Sequence, residues 1–313
     1  MTIYKGDKVR NVVLLGHNGS GKTSLADAML FDTGAVNRLG RVDDATSVSD
    51  WDDEERRRKM SINMSLMPCE WRDHKLNVID TPGYMDFVGE VIGAIRVADG
   101  AVVVVDAAGG VEVGTEQMWG YADERNLPRL AFVNKMEREN IDYGDVLEQI
   151  GSKFGLVAVA MQLPIGSQAD LQGVVDLITQ KAYLGDKGKE GPVPDEMADA
   201  VEEARMTLIE AAAEGQDQLM EKYFEEETLT EEEIRRGLRA RMDRGELVPV
   251  LCGSAAMNIG VVPLMQTIIK LLPSPVEATP YAAHHLATGH EVQLQSDPAG
   301  DLAALVFKTV ADP

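Results

Sequence analysis

The sequence predicts an α/β fold built around a mostly parallel β-sheet. Three observations carry that prediction. Apolar runs of strand length alternate with helix-like runs through the first half of the chain. The segments at 101–105 and 130–133 are apolar at every position, as expected of strands covered on both faces. The first strand also runs directly into a glycine-studded loop and then a helix, "VVLLGHNGSGKTSLADAML" at 12–30.

Taken in order, a strand over 11–15 leads into a helix over 22–33 that stops near Gly34. The stretch 35–60 is polar and has little periodicity. "INMSLMPCEW" and "KLNVID", separated by Arg72, Asp73 and His74, read as a β-hairpin. A helix near 86–98, a strand at 100–107, a helix at 115–126, a strand at 129–134 and a helix at 142–153 follow. The rhythm then breaks. "GLVAVAMQLPIG" and "LQGVVDLI" read as strands, and a long helix follows in which Met197, Val201, Ala204, Leu208 and Ala211 share one face, with Gly215 as its stop. A further helix begins at Thr230, where Glu233 completes a capping box. The sheet pattern returns with a strand at 247–255 and a helix at 260–272. The expected organisation is therefore one domain formed by 1–155 and 246–275, an α+β subdomain inserted at 156–245, a linker at 276–300, and a strand in 301–313.

Composition sets the bounds. A chain of 313 residues with 44% hydrophobic and 26% charged residues has an ordinary globular composition. A net charge of −22 has no general attraction for phosphate backbones, so any contact with nucleic acid must be local or made outside this chain. Cys69 and Cys252 have no CxxC spacing, and the expectation is a reduced chain without a structural metal. No signal peptide is apparent, and the longest apolar stretch is too short to cross a bilayer. A cytoplasmic monomer with no membrane partner is expected.

The chemistry is concentrated in short motifs. Gly16-His17-Asn18-Gly19-Ser20-Gly21-Lys22-Thr23 fits the phosphate-loop pattern. Backbone N–H groups of His17, Asn18, Gly19, Ser20 and Gly21, with the start of the following helix at Lys22, Thr23 and Ser24, would cradle an anion. Lys22 would add charge at the outer phosphates, and the Thr23 hydroxyl would ligate Mg²⁺. Asp80-Thr81-Pro82-Gly83 ends another strand, placing a carboxylate near the metal and the Gly83 N–H near the terminal phosphate. Asn134-Lys135-Met136-Glu137 is similar to the guanine-specificity motif Asn-Lys-x-Asp, and Gly253-Ser254-Ala255 to the loop that caps guanine. All three follow predicted strands, at the sheet edge where α/β folds bind ligands. Any one of them alone is an ordinary turn. Four in this order point to GTP and GDP, and leave an ATP-dependent kinase without a role for 134–137 or 253–255.

With those motifs in place, the chain from about residue 8 to 313 resembles the translational GTPases, and within them the elongation factor G family. "DWDDEERRRKMSI" at 50–62 is similar to that family's switch I, and "PVLCGSAAMNIGVVPLMQTIIKLLPSP" to its closing motif and last helix. The insertion at 156–245 matches in place and size the extra subdomain of elongation factor G. The closing "LAALVFKTVADP" is similar to the start of the family's β-barrel second domain. The resemblance implies a P-loop GTPase domain that binds GTP/GDP with Mg²⁺. It also implies a part in protein biosynthesis, in a GTP-dependent step on the ribosome contacted mostly through further domains.

The departures from the family pattern bear on activity. Tyr84 stands where the family has a histidine that positions the attacking water; a phenol, with pKa near ~10, cannot act as an imidazole does. Catalytic roles then fall to Lys22, Gly83 and Tyr84. Gly19 replaces an aspartate, and Ser61 replaces the switch I threonine while keeping the hydroxyl for Mg²⁺, so that Thr23, Ser61 and Asp80 form the implied metal set. Lys59 replaces a glycine, and Glu137 replaces the aspartate that accepts from guanine. Two rival readings stay open: a nucleotide-gated ribosome-binding module with negligible hydrolysis, and a sister GTPase of the ribosomal protection or release factor type.

Overall fold

The computed structural model describes residues 3–310. In chain order the main elements begin with β1 (Val9–Leu15), α1 (Lys22–Asp32), α2 (Asp53–Arg58), β2 (Ser65–Trp71), β3 (His74–Asp80), α3 (Val88–Ile95), β4 (Gly100–Asp106) and α4 (Val113–Asp123). They continue with β5 (Arg129–Asn134), α5 (Tyr143–Phe154), β6 (Val157–Ala160), β7 (Gln162–Ile165), β8 (Gly173–Asp176), β9 (Lys181–Leu184) and β10 (Lys189–Gly191). The remainder are α6 (Ala198–Ala213), α7 (Asp217–Glu226), α8 (Glu231–Asp243), β11 (Leu247–Cys252), α9 (Val261–Leu271), β12 (Tyr281–His284) and β13 (Glu291–Leu294).

The main sheet has seven strands in the order β2-β3-β1-β4-β5-β11-β6. Only β2 runs antiparallel to its neighbour, because Arg72 and Asp73 link it to β3 in a tight hairpin. Both turn residues have positive φ, 45° and 61°, the primed-turn geometry that suits the right-handed twist of the strands. The other strands are parallel, and the central β4, β5 and β11 are buried at every position. Val12 and Leu14 of β1, Val102 and Val104 of β4 and Phe132 of β5 pack under α1 and α9 with Leu25, Met29, Leu264 and Ile268. Val13, Leu15, Val103, Val105 and Val133 point the other way, toward Val91 of α3, Met118 of α4 and Ile150 of α5. Truncating a fully buried ring such as Phe132 to alanine would cost roughly 3–5 kcal/mol.

Local signals set the helix ends. The Asp142 carboxylate accepts from Gly144 N and Asp145 N at the start of α5, and Gly155 ends that helix with φ 65°. The expected capping box of Thr230 and Glu233 opens α8.

Val157–Ala160, expected within the insertion, forms β6 and extends the main sheet beside β11. The separate antiparallel sheet, in order β10-β9-β8-β7, starts at Gln162. The segment expected as a linker contains the β12–β13 hairpin, Tyr281 pairing with Leu294. Antiparallel β-structure thus follows α9 earlier than residue 301, and no strand forms among residues 301–310. Residues 311–313 of the expected strand lie outside the described residues. The segment is nonetheless anchored: Lys308 Nζ donates to Met64 O at 2.6 Å and to Glu90 Oε2 at 3.0 Å.

Candidate functional site

The carboxyl ends of β1, β3, β4, β5 and β11 open onto one edge of the sheet, and the loops that leave them meet there. The phosphate-loop motif joins β1 to α1. Two of its glycines are required by close approaches. Gly16 has φ 140°, and a Cβ there would lie 2.3 Å from Val104 O; at Gly21, φ 96°, it would lie 2.2 Å from Asn134 Nδ2. Gly19, by contrast, faces open space. Lys22 is 5% exposed, and its ammonium donates to Gly16 O and His17 O, each at 2.9 Å. Burial lowers its pKa to about 8, with Asp80 opposing and Lys135 reinforcing that shift. The Ser20 Oγ is buried without a partner among the described residues, and Ser24, in the first turn of α1, is half-buried. His17 Nε2 lies 3.5 Å from Glu112 Oε1, while its Nδ1 is buried without a partner.

A set of hydroxyls and carboxylates converges below this loop. Thr23 Oγ1 and Ser61 Oγ are 2.9 Å apart, and Ser61 Oγ donates to Asp50 Oδ1 at 2.8 Å. Asp80, 1% exposed, accepts from Ser49 Oγ at 2.6 Å. Burial raises the Asp80 pKa, against the hydrogen bonds from Ser49 and Thr23 and the charge of Lys22. Asp80 Oδ1 and Asp50 Oδ2 are both buried and have no hydrogen-bond partner among the described residues. The loop carrying Ser61 is held by Glu55, whose Oε1 accepts from Ile62 N and Asn63 N at 2.9 Å each. Lys59 ends α2 in the left-handed region at φ 55°.

Gly83 lies directly against the phosphate loop. A Cβ on it would come within 2.6 Å of Asn18 Cα and 2.7 Å of Lys22 Nζ, so only glycine allows this approach. Thr81 anchors the same loop, its hydroxyl donating to Leu14 O at 2.6 Å. Tyr84 is 38% exposed, and its hydroxyl makes no hydrogen bond among the described residues.

On the other side, Asn134 uses both ends of its amide. Nδ2 donates to Ser20 O at 2.8 Å, and Oδ1 accepts from Ala255 N at 2.9 Å. Lys135, at φ 66°, donates through Nζ to Gly19 O and to Asp106 Oδ2. Glu137 Oε2 is buried and has no hydrogen-bond partner among the described residues. Gly253 passes so close to the chain that a Cβ would lie 2.2 Å from Ile259 O. Ser254 and Ile259 close the following loop with reciprocal backbone bonds of 2.9 Å.

The motifs singled out in the sequence thus meet at one edge of the sheet, while the Tyr84 side chain makes no hydrogen bond there among the described residues. Sequence reasoning missed Ser49, Asp50, Asp106 and Thr81. Asp50 lay inside the quoted 50–62 motif and Thr81 inside Asp80-Thr81-Pro82-Gly83; Asp106 ends a strand as Asp80 does, and that position was its only signal.

A family profile described as the elongation factor Tu GTP binding domain matches residues 7–274. Elongation factor G of Thermotoga neapolitana is 40% identical over 312 residues, an overlap that covers 98% of this chain and 45% of that protein. The chain therefore spans about half the length of the curated relative it matches. A crystal structure of a protein from Thermus thermophilus superposes with a TM-score of 0.81 at 37% identity, covering 88% of this chain and 42% of that one.

Proposed function

The chain belongs to the elongation factor Tu GTP binding domain family, and from that membership we propose that it is the GTP-hydrolysing part of an elongation factor G-like translational GTPase. In this reading residues 1–155 and 246–275 form the GTP-binding unit, the antiparallel sheet with α6–α8 is a subdomain inserted into it, and the ribosome is the macromolecular partner. The observation that carries the reading is the Asn134 amide, which joins Ser20 of the phosphate loop to Ala255 of the capping loop. The link holds the two loops in register, as a ligand with phosphates at one end and a base at the other would require.

The residues present suit that ligand. Lys22 and the backbone N–H groups of residues 17–24 hold the phosphates, the Asn134-Lys135-Met136-Glu137 turn takes the guanine edge, and Gly253, Ser254 and Ala255 cap it. A carboxylate at Glu137 offers acceptors to guanine N1–H and N2–H₂ and no donor to adenine N1, which sets the preference. Thr23 and Ser61 would hold Mg²⁺, with Asp80 beside them; the unpartnered buried oxygens of Asp80 and Asp50 are what a cation and its water shell would satisfy. Held there, the ion would supply positive charge that offsets the negative charge of the phosphates. Ser61 and Gly83 respond to the terminal phosphate, one through its hydroxyl and one through its N–H, so their loops are ordered before hydrolysis and released after it. Tyr84 directly follows Gly83 in the loop that lies against Asn18 and Lys22.

A second reading, a nucleotide-gated module with negligible hydrolysis, is favoured by the exposed, unpartnered Tyr84 hydroxyl. No helix among the described residues is long and apolar enough to cross a membrane. The test is competition by GTP, GDP and ATP against a fluorescent guanine analogue, followed by multiple-turnover hydrolysis with and without ribosomes. Preference for GTP and GDP with ribosome-stimulated turnover is expected. Equal competition by ATP would overturn the reading, and tight GTP binding without turnover would select the module.

A further inference from the structure

Glu137 stands between two cations in the sequence, Lys135 and Arg138, yet among the described residues it forms no ion pair with either. Both cations turn instead to Asp106 at the end of β4. Asp106 Oδ2 accepts from Lys135 Nζ at 2.7 Å and from Arg138 Nη1 at 3.3 Å. Its other oxygen accepts from Ala108 N at 3.0 Å, which fixes the carboxylate in place. Burial pushes its pKa up, but the Lys135 hydrogen bond, the Ala108 N–H and the charges of Lys135 and Arg138 outweigh burial and hold it below the usual value. Glu137 is left with a buried, unpartnered Oε2.

We propose that Asp106 is a positioning residue for guanine selection, which by holding Lys135 and Arg138 keeps the Glu137 carboxylate free to accept from the base. The proposal rests on the reading of Glu137 as the base-reading acid. An ammonium or guanidinium that reached Glu137 would take the same lone pairs that guanine N1–H and N2–H₂ require, through charge-assisted bonds of equal or greater strength. The hazard is larger for glutamate than for aspartate, because its longer arm can fold back on a neighbouring cation. Asp106 removes both competitors at once, and it draws Lys135 toward Gly19 of the phosphate loop.

The test compares the affinities of the full chain for GDP and for inosine diphosphate, whose base keeps N1–H and lacks the 2-amino group. D106N retains an acceptor for Ala108 N and loses the charge. It is expected to lower GDP affinity about tenfold, the scale of one hydrogen bond to a charged group, and to narrow the preference for GDP over inosine diphosphate. Adding R138A removes one competing cation and is expected to restore part of that preference, which a purely structural role of Asp106 would not produce. Equal losses for both nucleotides in D106N, unrelieved by R138A, would overturn the proposal. D106E keeps the charge and is expected to keep the preference; if it melts as the parent does and has lost the preference, the proposal also fails. E137A separates this from the underlying reading. An unchanged preference in E137A defeats the base-reading role itself, whereas a narrowed preference in E137A with none in D106N defeats only the role of Asp106.

Discussion

Thr23 and Ser61 share a hydrogen bond of 2.9 Å across 38 residues of sequence. One hydroxyl sits in the first turn of α1 and the other on the loop after α2, so the bond ties the phosphate loop to a segment that is otherwise held by Asp50 and Glu55. Two hydroxyls at hydrogen-bond distance can also accept one cation between them.

Ser61→Ala is therefore expected to remove most of the Mg²⁺-dependent gain in GTP affinity, about 1–2 kcal/mol, and to leave GDP affinity within about twofold. Calorimetric titration with Mg²⁺ and with a chelator checks this. A loss of the same size for GTP and GDP would show that Ser61 supports the loop and does not sense the third phosphate.

Tyr84→His is expected to raise ribosome-stimulated GTP hydrolysis, and Tyr84→Phe to leave it near the parent level. Tyr84 follows Gly83, whose loop lies against Asn18 and Lys22, and its hydroxyl has no partner to lose. A positioned imidazole typically contributes ~10²–10⁴-fold. Fast turnover in the parent that vanishes in Tyr84→Phe would make the phenol itself the positioning group, against this expectation.

Glu137→Asp shortens the acid by one methylene and moves it away from Arg138. Tighter GDP binding, by roughly three- to tenfold, is the expected result, equivalent to recovering part of one charge-assisted bond. Weaker binding in Glu137→Asp would mean that the surrounding loop is shaped for the longer side chain.

The acid limb of stability has a contributor at Glu277. Burial pushes its pKa up, but hydrogen bonds from the Ser274 hydroxyl and N–H and the nearby Arg239 bring it down from 4.5 to about 2. A depressed carboxylate pKa adds stability above pH 4.5 that fades as pH falls toward 2. Glu277 is 44% exposed, and solvent screening holds the contribution to about 1 kcal/mol or less. Glu277→Gln should melt lower than the parent at pH 7, with the gap closing between pH 4 and 2. A gap independent of pH would assign the effect to packing.

The parallel sheet was legible because its central segments at 101–105 and 130–133 are apolar at every position, and the site because glycine and asparagine at strand ends are specific to their geometry. The phosphate loop's glycines could be read as a turn from sequence, while the contact of Gly21 with Asn134 could not, since 113 positions separate them. What escaped was set by tertiary pairing. Val157–Ala160 is the same apolar run whether it starts an insertion or ends a sheet, and only its pairing with β11 distinguishes the two. The helix Asp217–Glu226 was not expected, because its burial rests chiefly on one residue, Leu219. Ser49 and Asp50 lie in a stretch without periodicity, where no pattern marks a side chain that folds back on Asp80 or Ser61.

The two-ended amide of Asn134 has a kinetic consequence. Any opening of the 253–255 loop that frees a base pulls on Ala255 N, and through Asn134 on Ser20 O. Neither end of a bound nucleotide then has an independent exit. Departure is expected as one event, a single-exponential decay in a stopped-flow chase, with base-labelled and phosphate-labelled analogues leaving at the same rate. In Asn134→Ala the two labels would be lost at different rates, because the connection between their exits is gone.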